Sequence, residues 1–349
     1  MQTRPLGRTG LRVSAMCLGT SMFGGRTDFD ETCRIIDAAL EAGINFIDTA
    51  NVYAAGRCET FIGRALRRNG HRDRIVLATK CHGNMFPADD DDNPRARLHS
   101  RLNPNRAGNS RRQILEQIDA SLRRLQTDRI DLYQLHRPDP ACAIDETLRA
   151  LDDVVRAGKV RHIGGSTFAA WQLVEALWVS DRLRLNRLVT EQPPYHLLDR
   201  RIERELIPAC QTFGVAVMCW SPLAGGFLSG KYRPAGRPPE GSRLSDQRHG
   251  RAAMLQNHAA FAAVDRLQQL ADDKGCKLAE FALAWCRDQP GITCPIIGPR
   301  TLEQLTQNLA ALDLTLTPQD RAAVDAICPP GTHVVDYYQA DWGPHPHRV

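Results

Sequence analysis

Asp48, Tyr53, Lys80 and His136 are the side chains best suited to moving a proton, and each stands where a short apolar run turns polar. The run that begins at Ile44 ends at Asp48, and Tyr53 follows on the exit. The run 75–80 ends in Lys80, and 130–136 ends in His136. A tyrosine titrates at about pH 10 and is a reluctant acid at neutrality. An ammonium beside it stabilises the phenolate and eases proton release, and a carboxylate can hold that ammonium in place. A neighbouring imidazole can hydrogen-bond a carbonyl oxygen and orient it. Gathered at one point, the four would protonate an oxygen that becomes an alkoxide as a hydride reaches its carbon. Alone, Asp48 could cap the next helix and Tyr53 could pack. Their shared position at strand exits makes them a set.

Runs of β-forming residues that end abruptly in polar ones are the pattern of buried parallel strands leaving a sheet. Eight can be placed, over 15–20, 44–48, 75–80, 130–136, 162–166, 188–192, 215–220 and 293–298. Helical patterns lie between them. One covers 31–42, with Asp30 as N-cap and Gly43 as stop, and one covers 59–68 before Gly70. Others run from the Ser110 cap to 125, over 145–156 before Gly158, over 169–178, and over 200–213 before Gly214. Helices over 302–312 and 318–327 follow the last strand. A small hairpin turning at Gly7-Arg8-Thr9-Gly10 precedes the first.

This alternation implies parallel strands with right-handed crossovers, and a count of eight favours a closed (β/α)8 TIM barrel of the α/β class. A doubly wound sheet lacks its glycine fingerprint here, since no G-x-G-x-x-G follows the first strand. No shift in composition marks a second domain, so 1–349 reads as one: a hairpin at 1–13, long loops at 81–109 and 225–256, and a C-terminal helix and tail at 313–349. In such a barrel consecutive strand exits converge at one mouth, which is where sites are built.

A net charge of +5, with basic residues scattered, gives no reason to invoke nucleic acid. No apolar run approaches membrane-spanning length, and the N-terminal residues lack an apolar signal region. The eleven cysteines form no Cys-x-x-Cys pair, and several lie in apolar runs (Cys17, Cys219, Cys294). That usage points to buried, reduced thiols, a cytoplasmic setting and no structural metal. Asp89-Asp90-Asp91-Asp92 reads as a solvated loop rather than a metal site.

The motifs Asp48-Thr49-Ala50-x-x-Tyr53, Ala78-Thr79-Lys80 and Asp131-Leu132-Tyr133-x-Leu135-His136 resemble the catalytic tetrad of the aldo-keto reductases. Gly158-Lys159-Val160-Arg161-x-Ile163-Gly164, Trp220-Ser221-Pro222-Leu223-x-Gly225-Gly226 and Gly298-x-Arg300-x-x-x-Gln304-x-x-x-Asn308 extend the resemblance over nearly the whole chain. Its nearest pattern is the bacterial and potassium-channel β-subunit-like branch. The resemblance implies Tyr53 as general acid, Lys80 and Asp48 as the pair that tunes it, and His136 as the group that orients the carbonyl. It implies that Ser166, Thr167 and Gln192 hold a nicotinamide carboxamide, that Trp220 stacks on the ring, and that Gly19 and Thr20 border its ribose. Ser221, Pro222, Leu223, Gly225 and Lys231 would line the pyrophosphate path, and Gln307 joins Arg300, Gln304 and Asn308 at the far end. One departure stands out: Thr167 follows Ser166 where the family usually has asparagine.

Arg300, Gln304 and Asn308 are spaced by four and so share a helix face. Gly298 before them would let a phosphate reach the helix N-terminus, whose free N–H groups favour anions. An arginine there suits the 2′-phosphate of NADP, which makes NADP(H) the expected cofactor. The expected partner is a small carbonyl or alcohol substrate, with assembly into a homo-oligomer left open. Phe23, Phe86, Tyr337 and Trp342 are candidates for pocket walls, and Arg95, Arg97, Arg233 and Arg237 would permit an anionic substrate. Two other readings remain: an NADP(H)-sensing regulatory subunit, which the β-subunit resemblance suggests, and a carboxylate-pair hydrolase. No second carboxylate stands at a neighbouring strand exit in a comparable motif, which disfavours the hydrolase.

Overall fold

In the computed structural model, residues 1–83, 85, 104–234, 236–240, 242, 245 and 255–335 are described. Asp89–Asp92, Phe86, Arg95, Arg97, Tyr337 and Trp342 lie outside them. An antiparallel hairpin of β1 (Thr3–Pro5) and β2 (Arg12–Ser14) opens the chain. Eight strands then form a closed barrel: β3 (Cys17–Gly19), β4 (Phe46–Asp48), β5 (Val76–Cys81), β6 (Ile130–Leu135), β7 (Val160–Ser166), β8 (Leu188–Gln192), β9 (Ala216–Cys219) and β10 (Ile292–Ile297). Neighbours in the chain are neighbours in the barrel. Every pairing is parallel, and β10 closes on β3 with Ile296 opposite Cys17. The architecture is the expected (β/α)8 TIM barrel.

The strands are near-continuous apolar runs because both faces are buried. Inward residues such as Cys17, Phe46, Ala78, Leu132, Met218 and Cys294 fill the lumen, and Leu6 and Val13 of the hairpin pack into the same cluster. At Gly7 an added Cβ would stand 2.8 Å from the carbonyl oxygens of Gly214 and Val189. The hairpin is thus pressed against the starts of β8 and β9, and it closes the end opposite the strand exits. Outward residues pack on the helices in a second, larger cluster.

Among the described residues the helices are α1 (Phe29–Glu41), α2 (Arg57–Asn69), α3 (Arg111–Leu125), α4 (Ile144–Arg156), α5 (Ala170–Leu183), α6 (Leu206–Phe213), α7 (His258–Asp273), α8 (Leu278–Arg287), α9 (Leu302–Ala310) and α10 (Pro318–Ile327). None is long and apolar enough to cross a membrane. The Ser110 cap and the glycine stops at 70 and 214 stand as expected, both glycines in the left-handed region.

Three expectations need correction. The cap of α1 is Asp28, not Asp30: its carboxylate accepts the Glu31 N–H at 2.8 Å, and the helix begins two residues earlier than expected. The helix expected over 200–213 is a short 3-10 turn, Arg201–Glu203, followed by α6. Pro208 explains the break. It has no N–H to donate one turn back, so it is tolerated only in a first turn, and α6 starts where Pro208 falls in its first turn. Finally, α7 and α8 occupy a stretch to which the sequence reading assigned no element. Helix α8 is buried almost all round.

Candidate active site

β4 and β5 pair so that Asp48 lies opposite Ala78, with Lys80 two residues further toward the mouth. Lys80 is 1% exposed, yet its ammonium is saturated. It donates to Asp48 Oδ2 at 2.5 Å, to the Thr49 carbonyl at 2.8 Å and to the Tyr53 hydroxyl at 3.4 Å. Tyr53 is aimed by a tight turn in which Ala54 (φ 47°) and Ala55 (φ 55°) are both left-handed. Residues with a Cβ pay about 1–2 kcal/mol each for that conformation. His136 leaves β6 with its backbone N–H on the Cys81 carbonyl at 2.8 Å. Its ring meets the Tyr53 ring edge-on, 5.7 Å between centroids. The four tetrad candidates are therefore adjacent.

Their protonation follows from this packing. Burial would lower the Lys80 ammonium, but the Asp48 carboxylate and then Tyr53 outweigh it, and the net direction is upward, so the lysine stays charged. Burial raises the Tyr53 phenol, with Lys80 pulling against it. The expectation that the lysine leaves this phenol more acidic than usual is thus corrected for the site without ligand: the pull is present, and desolvation exceeds it. Burial, then the charges of Lys80 and Arg137, holds His136 well below its ordinary value. His136 is a neutral imidazole at physiological pH, suited to hydrogen bonding rather than to acting as the acid.

Asp48, Tyr53 and His136 open onto a cavity of about 610 Å³, within the usual range for small-molecule sites. The same cavity is lined by every cofactor candidate from the sequence: Gly19, Thr20, Ser166, Thr167, Gln192, Trp220, Ser221, Pro222, Leu223, Gly225, Lys231, Gly298, Arg300, Gln304, Gln307 and Asn308. Two local features fit a bound dinucleotide. Gly225 and Gly226 are left-handed (φ 66° and 94°), and a Cβ on Gly226 would come within 2.9 Å of Lys231 Nζ, so glycine lets that ammonium lie against the loop. At Gly298 an added Cβ would meet no protein atom within 4 Å, which leaves open space beside α9. Burial and the nearby Arg300 charge lower the Lys231 ammonium, which shows two cations converging at this end.

The helix amides expected to meet a phosphate are already engaged. Amide groups at the start of α9 already have protein acceptors: Leu302 N–H donates to Glu31 at 2.6 Å, Gln304 N–H to Thr301 at 3.2 Å, and Arg300 N–H to the Gln304 side chain at 2.9 Å. An anion here would be met by side chains rather than by these N–H groups.

At the carboxamide corner, the Ser166 hydroxyl donates to the Gln192 carbonyl at 2.8 Å. Thr167 has φ 61°, and among the described residues its buried hydroxyl has no hydrogen-bond partner. Asparagine tolerates left-handed backbone far better than a β-branched residue does, which gives a backbone reason for the usual residue there. Sequence reasoning passed over Gln134, Arg137, Arg26 and Met22. The last three line the cavity, and Gln134 is fully buried beside Asp48. Only Gln134 carried a signal, as a polar residue two before His136 on a strand whose alternate residues face inward.

A closed parallel barrel with an Asp–Lys–Tyr–His cluster beside a cavity at its strand exits has the layout of an oxidoreductase. The comparisons narrow this. The chain belongs to the Aldo/keto reductase family, whose model matches residues 15–329. It is 40% identical to the uncharacterized oxidoreductase YrpG of Bacillus subtilis (strain 168), over 97% of this chain and 99% of that protein. It is 36% identical to versiconal hemiacetal acetate reductase of Aspergillus parasiticus, over 92% and 95%. It is 34% identical to a probable voltage-gated potassium channel subunit beta of Oryza sativa subsp. japonica, over 94% and 96%. The protein is an oxidoreductase of this family, whose members generally use NAD(P)H.

Proposed function

We propose that the protein is an NADPH-dependent reductase of aldehydes or ketones, reversible to alcohol oxidation, with Tyr53 as general acid. The observation that carries this reading is the contact chain from Asp48 through Lys80 to the Tyr53 hydroxyl, beside a neutral His136. Bound NADPH would supply the hydride. The His136 imidazole donates a hydrogen bond to the carbonyl oxygen and sets its position. As negative charge develops on that oxygen, Tyr53 delivers its proton, and the Lys80 ammonium stabilises the phenolate left behind. Asp48 keeps the ammonium in place between turnovers. Ser166, Thr167 and Gln192 would hold the nicotinamide carboxamide, Trp220 would stack on the ring, and Lys231 with Arg300 would meet the phosphates. The pair of cations supports NADP over NAD. A reducing, cytoplasmic setting accords with eleven free cysteines.

The test is optical: purified protein, NADPH and a panel of small aldehydes and ketones, with cofactor consumption followed by absorbance. Turnover on at least one carbonyl is expected, and a flat trace across the panel would remove the enzyme reading. The identity with potassium channel β subunits favours a second reading, a cofactor-sensing regulatory subunit. That reading predicts tight NADPH binding, measured by fluorescence, without steady turnover on the same panel.

A further inference from the structure

Asp48 has more partners than the tetrad supplies. Lys80 takes Oδ2, while Oδ1 accepts two amide hydrogen bonds, from Gln134 Nε2 at 3.0 Å and from Gln192 Nε2 at 2.9 Å. The two glutamines also touch, Gln192 Nε2 lying 3.4 Å from Gln134 Oε1. Gln134 cannot be turned over, because the opposite amide orientation would set its carbonyl against the carboxylate and its NH₂ against another NH₂. It stands on β6, fully buried. The neighbouring strand makes room for it: a Cβ on Gly164 would approach Gln134 Cγ to 3.3 Å. Among the described residues, the charged and titratable groups facing this cluster are Asp48 from β4, Lys80 from β5, Tyr53 from the turn after β4, His136 at the end of β6, and the buried thiols of Cys17 from β3 and Cys58 from α2.

We infer that Gln134 is a positioning residue of the reaction: its amide holds the Asp48 carboxylate in the orientation that anchors Lys80 against Tyr53, and it ties that carboxylate to Gln192 at the cavity wall. The inference rests on the reductase reading above for its kinetic consequence, though not for its effect on the phenol. A carboxylate that accepts two amide donors has part of its charge drawn away from the ammonium and the phenol. Without the Gln134 donor, that charge bears more strongly on Lys80 and Tyr53, and the carboxylate is free to swing.

The experiment compares the wild type with Gln134→Met, which keeps the length and removes the donor, and Gln134→Glu, which regains a donor only when protonated. With Gln134→Met, kcat should fall about tenfold while KM for NADPH stays within about twofold. With Gln134→Glu, the ratio of its kcat to that of the wild type should climb as pH falls, because two adjacent carboxyls share a proton and the protonated one can donate to Asp48. A loss caused only by poorer packing would leave that ratio flat, and a flat ratio overturns the inference. An independent readout needs no cofactor: tyrosinate absorbance of each protein, differenced against its Tyr53→Phe counterpart, should show the phenol titrating at higher pH in Gln134→Met. An unchanged titration overturns the inference even if the wild type proves to have no carbonyl activity, which would count against the reductase reading alone. Gln134→Glu, nearly isosteric, carries the test if the methionine variant does not fold.

Discussion

At the reacting end of the cavity, Asp48, Lys80, Gln134 and Gln192 arrive from four strands and satisfy one another through side-chain hydrogen bonds at 2.5–3.0 Å. At the far end, Arg300, Gln304, Gln307 and Asn308 lie within a few residues of one another at the start and along α9. The first cluster exists only once the barrel has closed, because no two of its members are near in the chain. The second is arranged by helix periodicity, and its own polar groups serve one another, as when the Gln304 side chain accepts the Arg300 N–H. An end built from four strands is rigid and sensitive to any one member. An end built on one helix face can lose a member by degrees.

The sharpest way to break that contrast is at the phenol. Tyr53→Phe should lower kcat by about 10²–10⁴-fold while NADPH still binds, measured by fluorescence titration. Comparable turnover in both proteins would take Tyr53 out of the proposed mechanism. Lys80→Met should cost both turnover and stability, about 3–5 kcal/mol in denaturant unfolding, because it strands a buried carboxylate beside two amides.

Behind the same end, Glu191 is buried and accepts the Phe168 N–H at 2.9 Å. Burial pushes its carboxyl up from 4.5 to about 8. A folded value above the unfolded one means that stability is full below about pH 4.5 and is lost as pH rises through about 8, by up to about 1.4 kcal/mol per pH unit. Unfolding across that window should show this slope, and Glu191→Gln should flatten it. An equal slope in both proteins would assign it to other groups.

At the helix-built end, Arg300→Ala should raise KM for NADPH about tenfold and leave KM for NADH nearly unchanged. Equal changes for both would place Arg300 away from the 2′-phosphate. The smallest effect is expected at Thr167. Thr167→Asn should stabilise the fold by about 1 kcal/mol by relieving a β-branched residue at φ 61°, read as a higher melting temperature.

The far end was largely legible in the sequence, since the spacing of Arg300, Gln304 and Asn308 carries its own geometry. What could not be read there was the competition for the helix amides, because Glu31 is distant in the chain from Leu302, whose N–H it takes. At the reacting end, the strand exits named Asp48, Lys80 and His136 in advance, and the net direction of the Tyr53 shift could not be had without knowing its burial. Gln134 was hidden inside a motif that names its neighbours.

By itself, the sequence determined the alternation of buried strands and helices, the side chains that stand at strand exits, and through both the family. Those follow from local rules, apolar runs that end abruptly for the buried strands and a period near four for the helices. Only the tertiary structure decided which inward residues touch, because that depends on the register between strands once the barrel closes. The carboxylate shared by Lys80, Gln134 and Gln192, and the neutral state of His136, are consequences of that register and of the burial it creates.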